Sequence, residues 1–122
     1  MPSPKPIPNL TTKPWCVYIR VSTEEQAQQG ISLEAQLRSC QAMIQAQGFP
    51  LGNTYEDAGV SAKDLRRPAL QRLLTDARAG KIGGIVVWKL DRLTRSTRDL
   101  LQLTADMDTW GVALTSVQER LD

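Results

Sequence analysis

Apolar runs alternate with amphipathic stretches along this chain, and the alternation divides it into strands and helices. Trp15–Val21 (WCVYIRV) is rich in β-branched and aromatic residues and reads as a first strand. Ser32 can N-cap a helix through Gln47, with Leu33, Leu37, Cys40 and Ile44 at helical spacing and Gly48 and Pro50 ending it. A short strand is predicted around Thr54–Asp57, then a polar loop (AGVSAKDLRR) with Gly59 as its soft point. Pro68 suits the first turn of a second helix, with Leu70, Leu73, Leu74 and Ala77 as its inner stripe and Gly80 closing it. Ile82–Leu90 (IGGIVVWKL) has the near-continuous apolar character of a strand buried on both faces. A third helix is expected from about Thr97 to Trp110, with Leu100, Leu103, Met107 and Trp110 inward and Gly111 as C-cap. Val112–Val117 completes the set as a last strand.

The order β-α-β-α-β-α-β predicts an α/β domain with a mainly parallel sheet. Ligands gather at the carboxyl ends of the strands in such sheets. Ser22 falls just after the first predicted strand, and Asp91 to Arg95 fall just after the third.

Composition narrows the chemistry. With 122 residues and 41% apolar content the chain is the size of one domain with a packed core. Residues 1–14 (MPSPKPIPNLTTKP) hold five of the seven prolines and are expected to form a disordered arm. That stretch lacks the apolar run of a signal peptide, and nothing later approaches a membrane span, so a cytoplasmic location is expected. Cys16 and Cys40 both sit in apolar patterns and read as buried free thiols. The absence of histidine removes Ser-His-Asp and Cys-His triads and most zinc sites. Any chemistry must come from Ser, Arg, Lys, Asp and Tyr.

Charge is unevenly placed. Residues 63–98 carry ten Lys/Arg against three acids, although the whole chain nets only +2. A basic block in an otherwise acidic domain suits an anion-binding face, and equally a solvated helix face with scattered ion pairs.

Three clusters could bind an anion. Along an extended strand Tyr18, Arg20 and Ser22 project to one side, placing a guanidinium beside a hydroxyl. Taken alone, an edge charge at Arg20 and a helix-capping Ser22 is the simpler reading. In Lys89-Leu90-Asp91-Arg92-Leu93-Thr94-Arg95, a helix beginning near Asp91 sets Asp91 and Arg95 four apart on one face. An Asp–Arg ion pair at a strand-to-helix turn explains that cluster as well. Arg66-Arg67-Pro68 can add a further guanidinium. Together the clusters surround Ser22 with Arg20, Arg67, Arg92 and Arg95, a set suited to phosphoryl transfer, whose charge builds on nonbridging oxygens. The general base is not identified; Asp91 or an arginine could take part in proton transfer.

The motif Tyr18-Ile19-Arg20-Val21-Ser22-Thr23, with Gln26, resembles the nucleophile motif of serine recombinases, the resolvase/invertase family. Asp57-Ala58-Gly59-Val60-Ser61 and then Arg67-Pro68-Ala69-Leu70 resemble the family's mobile loop and its arginine. Trp88-Lys89-Leu90-Asp91-Arg92-Leu93-Thr94-Arg95 is similar to its third-strand signature, and all three occur in family order over residues 15–122. The Arg-Pro ending of the loop and Ser32-Leu33-Glu34-Ala35-Gln36 look more like the large serine recombinases, phage integrases and transposon recombinases.

The resemblance implies a resolvase-like three-layer domain with a mainly parallel four- to five-stranded sheet. It implies that Ser22 attacks a DNA phosphodiester, giving a 5′-phosphoserine link and a free 3′-hydroxyl, followed by strand exchange in a tetramer and religation. Arg20, Arg67, Arg92 and Arg95 would hold the phosphate with Asp91 ordering the site, and Tyr18, Gln26, Arg66 and Lys89 would support them. No metal or cofactor is expected; the expected partners are double-stranded DNA and further copies of the chain, in a bacterial or phage-encoded protein. Family members continue into a long dimerisation helix and DNA-binding domains. The 122 residues stop where that helix is approached, so they are expected to be equipped for the chemical step but not for recombination alone. Two alternatives remain: a non-catalytic module of the same fold, and, more remotely, a small-molecule phosphate enzyme. The latter lacks a glycine-rich phosphate loop.

Overall fold

A computed structural model describes residues 13–21, 32–58 and 67–119. The elements are β1 (Trp15–Val21), α1 (Leu33–Ala46), β2 (Leu51–Ala58), α2 (Pro68–Arg78), β3 (Gly84–Val87), α3 (Leu90–Leu93), α4 (Thr97–Trp110) and β4 (Ala113–Ser116). All strand pairings are parallel, in the order β2-β1-β3-β4.

Each helix begins and ends for local chemical reasons. Ser32 caps α1 by accepting the Ala35 N–H at 3.0 Å, and Ser96 caps α4 by accepting that of Asp99 at 3.1 Å. Pro68 opens α2, where its missing N–H costs nothing. Gly111 ends α4 in the left-handed region at φ 73°, which lets the Val112 N–H reach the Met107 carbonyl at 2.8 Å.

Two apolar cores lie on opposite faces of the sheet. Alternation along β1 sends Val17 and Ile19 to the α1 side, where they meet Cys40 and Ile44. Cys16 and Tyr18 face the other way, into the core built by Leu70 and Leu73 of α2 and Leu103 and Met107 of α4. Both cysteines are buried and unbridged. Gln36 is also buried, one turn before Cys40 on α1, a place that helical spacing assigned to no apolar residue.

The predicted elements reappear with differences at their ends, and β4 spans Ala113–Ser116 rather than Val112–Val117. β2 is longer than Thr54–Asp57, because pairing with β1 extends it from Leu51 to Ala58. β3 is much shorter than Ile82–Leu90. It stops at Val87, opposite Tyr18, and the apolar residues beyond it turn into α3. Asp91 and Arg95 therefore do not share a helical face: Thr94 leaves the helix at φ −162°, ψ 152°, and α4 starts afresh after Ser96. Within the predicted arm, Lys13 and Pro14 are described, and the Pro14 carbonyl accepts the Gly83 N–H at 2.9 Å; residues 1–12 lie outside the described residues.

Strand order reverses at β1, which pairs with β2 on one side and β3 on the other. The carboxyl ends of β1 and β3 therefore flank the crevice where parallel sheets bind their ligands.

Candidate active site

β1 runs on to Val21 while β3 ends opposite Tyr18, so Arg20 has no partner residue on β3. The space beside it is taken by α3. The chain leaves α3 at Thr94, so the carbonyls of Asp91, Arg92 and Leu93 stand at the open end of the helix. All three accept from arginines. Arg20 donates through Nε to the Arg92 carbonyl and through Nη2 to that of Asp91, both at 3.1 Å. Arg67 donates through Nη1 to the same Arg92 carbonyl at 3.1 Å and through Nη2 to that of Leu93. The negative end of a helix is a favourable place for cations.

Arg92 adds a third guanidinium, whose Nη1 meets Asp91 Oδ1 at 3.0 Å. Arg20, Arg67 and Arg92 are 1%, 0% and 1% exposed. Desolvating one guanidinium costs several kcal/mol after relaxation, on the order of the stability of a whole domain when three are involved. Positive charge concentrated in the interior creates a strong local attraction for an anion.

Tyr18 lies beneath this cluster. The Arg67 guanidinium carbon stands 5.5 Å from its ring centroid, and the Tyr18 hydroxyl donates to Asp57 Oδ2 at 2.8 Å. Burial pushes the Tyr18 phenol well above its usual range, and the Asp57 hydrogen bond adds to this against the opposing pull of Arg67 and Arg20. Asp57 also receives the Ala69 and Leu70 N–H groups, each at 3.0 Å. It thus caps α2 from the adjacent strand, because Arg67 at the N-cap position makes no side-chain cap.

Of the residues singled out from sequence, the structure brings together Tyr18, Arg20, Arg67, Asp91 and Arg92. Lys89, half-buried, and Arg95, exposed, flank α3 on its two sides. Ser22, Gln26 and Arg66 lie outside the described residues. Asp57 enters the sequence reading as the end of a predicted strand and the start of a loop motif, with no role at the site. Its alternation with Tyr55 on β2 was the available signal, since a carboxylate at an inward position demands donors.

Residues 15–122 match the family described as "Resolvase, N terminal domain". The chain belongs to this family. A putative DNA recombinase of Bacillus subtilis is 37% identical over 101 residues, 83% of this chain and 20% of that protein. The DNA-invertase of Enterobacteria phage P7 is 35% identical over 107 residues, 86% of this chain and 49% of that protein. The chain therefore spans from about a fifth to about half of these two relatives' length. Among solved structures, the N-terminal catalytic domain of TP901-1 integrase superposes with a TM-score of 0.82 at 38% identity, covering 90% of this chain and 82% of that one. The three-layer α/β architecture is thus the resolvase fold, with the arginine cluster at the carboxyl ends of its strands. Among the described residues no helix is long and apolar enough to cross a membrane.

Proposed function

We propose that this resolvase-family domain performs the chemical step of site-specific DNA recombination, with Ser22 as nucleophile and the buried arginines as the phosphate clamp. The observation that carries this reading is the convergence of Arg20, Arg67 and Arg92, from three separate segments, around the last turn of α3. Guanidinium groups fixed before the substrate arrives stabilise charge on nonbridging phosphate oxygens without reorganising during the reaction.

In the forward step the Ser22 Oγ–phosphorus bond forms and the phosphorus–O3′ bond breaks. The serine proton ends on the departing 3′ oxygen, leaving a 5′-phosphoserine ester and a 3′-hydroxyl. The 3′-hydroxyl of an exchanged strand then attacks the same phosphorus and returns the proton to Ser22. One ester replaces another at each step, so no nucleoside triphosphate is consumed. Asp91 stands beside Arg92 and is the carboxylate positioned to order the site. Double-stranded DNA is the substrate, and pairing of cuts in two duplexes requires self-association of the whole protein. The setting is the cytoplasm of a bacterium, with the gene borne by the host or a phage.

The test is a chimera joining residues 15–122 to the remainder of TP901-1 integrase, incubated with that integrase's DNA sites and run on denaturing gels. A covalent protein–DNA adduct is expected, absent in Ser22→Ala. An adduct that survives Ser22→Ala overturns the nucleophile. A chimera that assembles on DNA but never cleaves it points to the non-catalytic module.

A further inference from the structure

Helix α3 is held at both ends, and its N-terminal anchor comes from the segment that follows β4, the neighbour of β3. At that end, Lys89 occupies the N-cap position and makes no side-chain cap, as a lysine, having no acceptor, must. The first amide of the helix, Leu90 N–H, instead donates to Glu119 Oε1 at 2.9 Å. Glu119 follows the edge strand β4, 29 residues along the chain.

The carboxylate is itself fixed. Ser116 donates its hydroxyl hydrogen to Glu119 Oε1 at 2.6 Å, and its oxygen accepts the Glu119 N–H at 3.2 Å. Ser116-Val117-Gln118-Glu119 thus has the Ser-x-x-Glu spacing of a capping box. Here the glutamate oxygen that takes the Ser116 hydroxyl also reaches across to the first amide of a different helix. Two backbone bonds hold the segments side by side: Val117 N–H to the Val87 carbonyl at 2.9 Å, and Gln118 N–H to the Trp88 carbonyl at 3.1 Å. At the opposite end of α3, the carbonyls of residues 91–93 take Arg20 and Arg67. A helix of only four residues has almost no stability of its own, so its placement depends on these anchors.

We propose that Glu119 is a positioning residue: by capping α3 from the segment after the edge strand it sets the carbonyls that aim Arg20 and Arg67 at the phosphate. The arrangement also ties the chain leaving β4 mechanically to the arginine cluster. The functional half of this inference rests on the recombinase reading; the structural half does not.

The experiment compares the full chain with Glu119→Ala and Glu119→Gln, following Leu90 amide exchange and the Arg20 Nε–H resonance by NMR, and binding of a short DNA duplex at low salt. Glutamine keeps an acceptor oxygen at the same reach. In Glu119→Ala, exchange of both Leu90 N–H and Arg20 Nε–H is expected to quicken about tenfold, the scale of a lost helix cap. Duplex affinity is expected to fall about fivefold, and Glu119→Gln to stay within about twofold of the parent. An Arg20 Nε–H that exchanges at the parent rate in Glu119→Ala overturns the proposal, even if the melting temperature drops. So does a Glu119→Gln variant as impaired as alanine. Should Glu119→Ala not fold, Glu119→Asp, one methylene too short to reach Leu90, takes its place with the same expectations. If the exchange results hold but the chimera described above forms no covalent adduct with DNA, the recombinase reading fails and the anchoring role stands.

Discussion

Tyr18 donates its hydroxyl hydrogen to Asp57 at 2.8 Å, linking the neighbouring strands β1 and β2 directly beneath the Arg67 guanidinium. The same carboxylate caps α2 through Ala69 and Leu70, and α2 begins one residue after Arg67. Through one buried acid, the strand that carries Arg20 and the helix start that carries Arg67 hold a common orientation.

This linkage predicts coupled losses of stability. Tyr18→Phe removes one hydrogen bond and should cost about 1 kcal/mol, since Asp57 keeps its two amide donors. Asp57→Ala uncaps α2 and strands the phenol, costing about 2–4 kcal/mol. In the double variant the stranded hydroxyl is gone, so urea unfolding should give a total below the sum of the single changes. Strict additivity would falsify the coupling.

Arg67 and Arg95 should respond differently to change. Arg67 is buried and spans two carbonyls with a planar fork that lysine cannot reproduce. Under the recombinase reading, Arg67→Lys lowers cleavage by the chimera roughly 10²-fold. Arg95 is exposed. Arg95→Ala should leave the melting temperature within about 2 °C of the parent, as surface changes do. It should also flatten the dependence of log affinity for duplex DNA on log salt by about 1 if Arg95 meets a phosphate. An unchanged slope assigns Arg95 no phosphate.

Gly84 is required by packing. A Cβ there would land on the Trp15 ring, which stacks on Phe49 with centroids 4.1 Å apart and planes 4° from parallel. Gly84→Ala should cost about 1–3 kcal/mol by forcing the ring off its partner. Gly111→Ala meets nothing within 4 Å of its Cβ and suffers only from its positive φ, about 1 kcal/mol. Thermal melts should place Gly84→Ala below Gly111→Ala; the reverse order would show that the sheet gives way easily at Trp15.

Alkaline pH should weaken the fold through Cys40. Burial pushes this thiol from its ordinary 9.0 up to about 12. A folded value above the unfolded one means that the stabilisation is complete below about pH 9 and is lost as pH rises toward 12. Denaturant midpoints measured from pH 8 upward should fall, and fall less steeply in Cys40→Ala. Equal slopes in the two proteins would remove Cys40 as a cause.

Much of the fold was legible because its signals are local. Ser32, Pro68 and Gly111 act on their own helix ends, and the stripes Leu70–Leu73–Ala77 and Leu103–Met107 follow the helical period, so the helices fall where the pattern puts them. The end of β3 was not legible. Trp88 and Leu90 are as apolar as the strand before them, and only the end of pairing with β1 at Tyr18 and Val87 marks where the chain turns. The exit of the chain from α3 at Thr94 separates Asp91 from Arg95. It also leaves the α3 carbonyls to Arg20 and Arg67, which no spacing rule could foresee.

The sequence by itself determined the α/β order, the parallel sheet, the lack of histidine chemistry and the identity of the charged residues near the strand ends. Those depend on residue types and short-range periodicity. The tertiary structure alone decided that three of the arginines are buried around one short helix, that Asp57 joins Tyr18 to α2, and that Glu119 reaches Leu90 from the edge strand. Each of these unites groups from different segments, and hydrogen bonds across such separations exist only once β1, β2, β3 and β4 lie side by side.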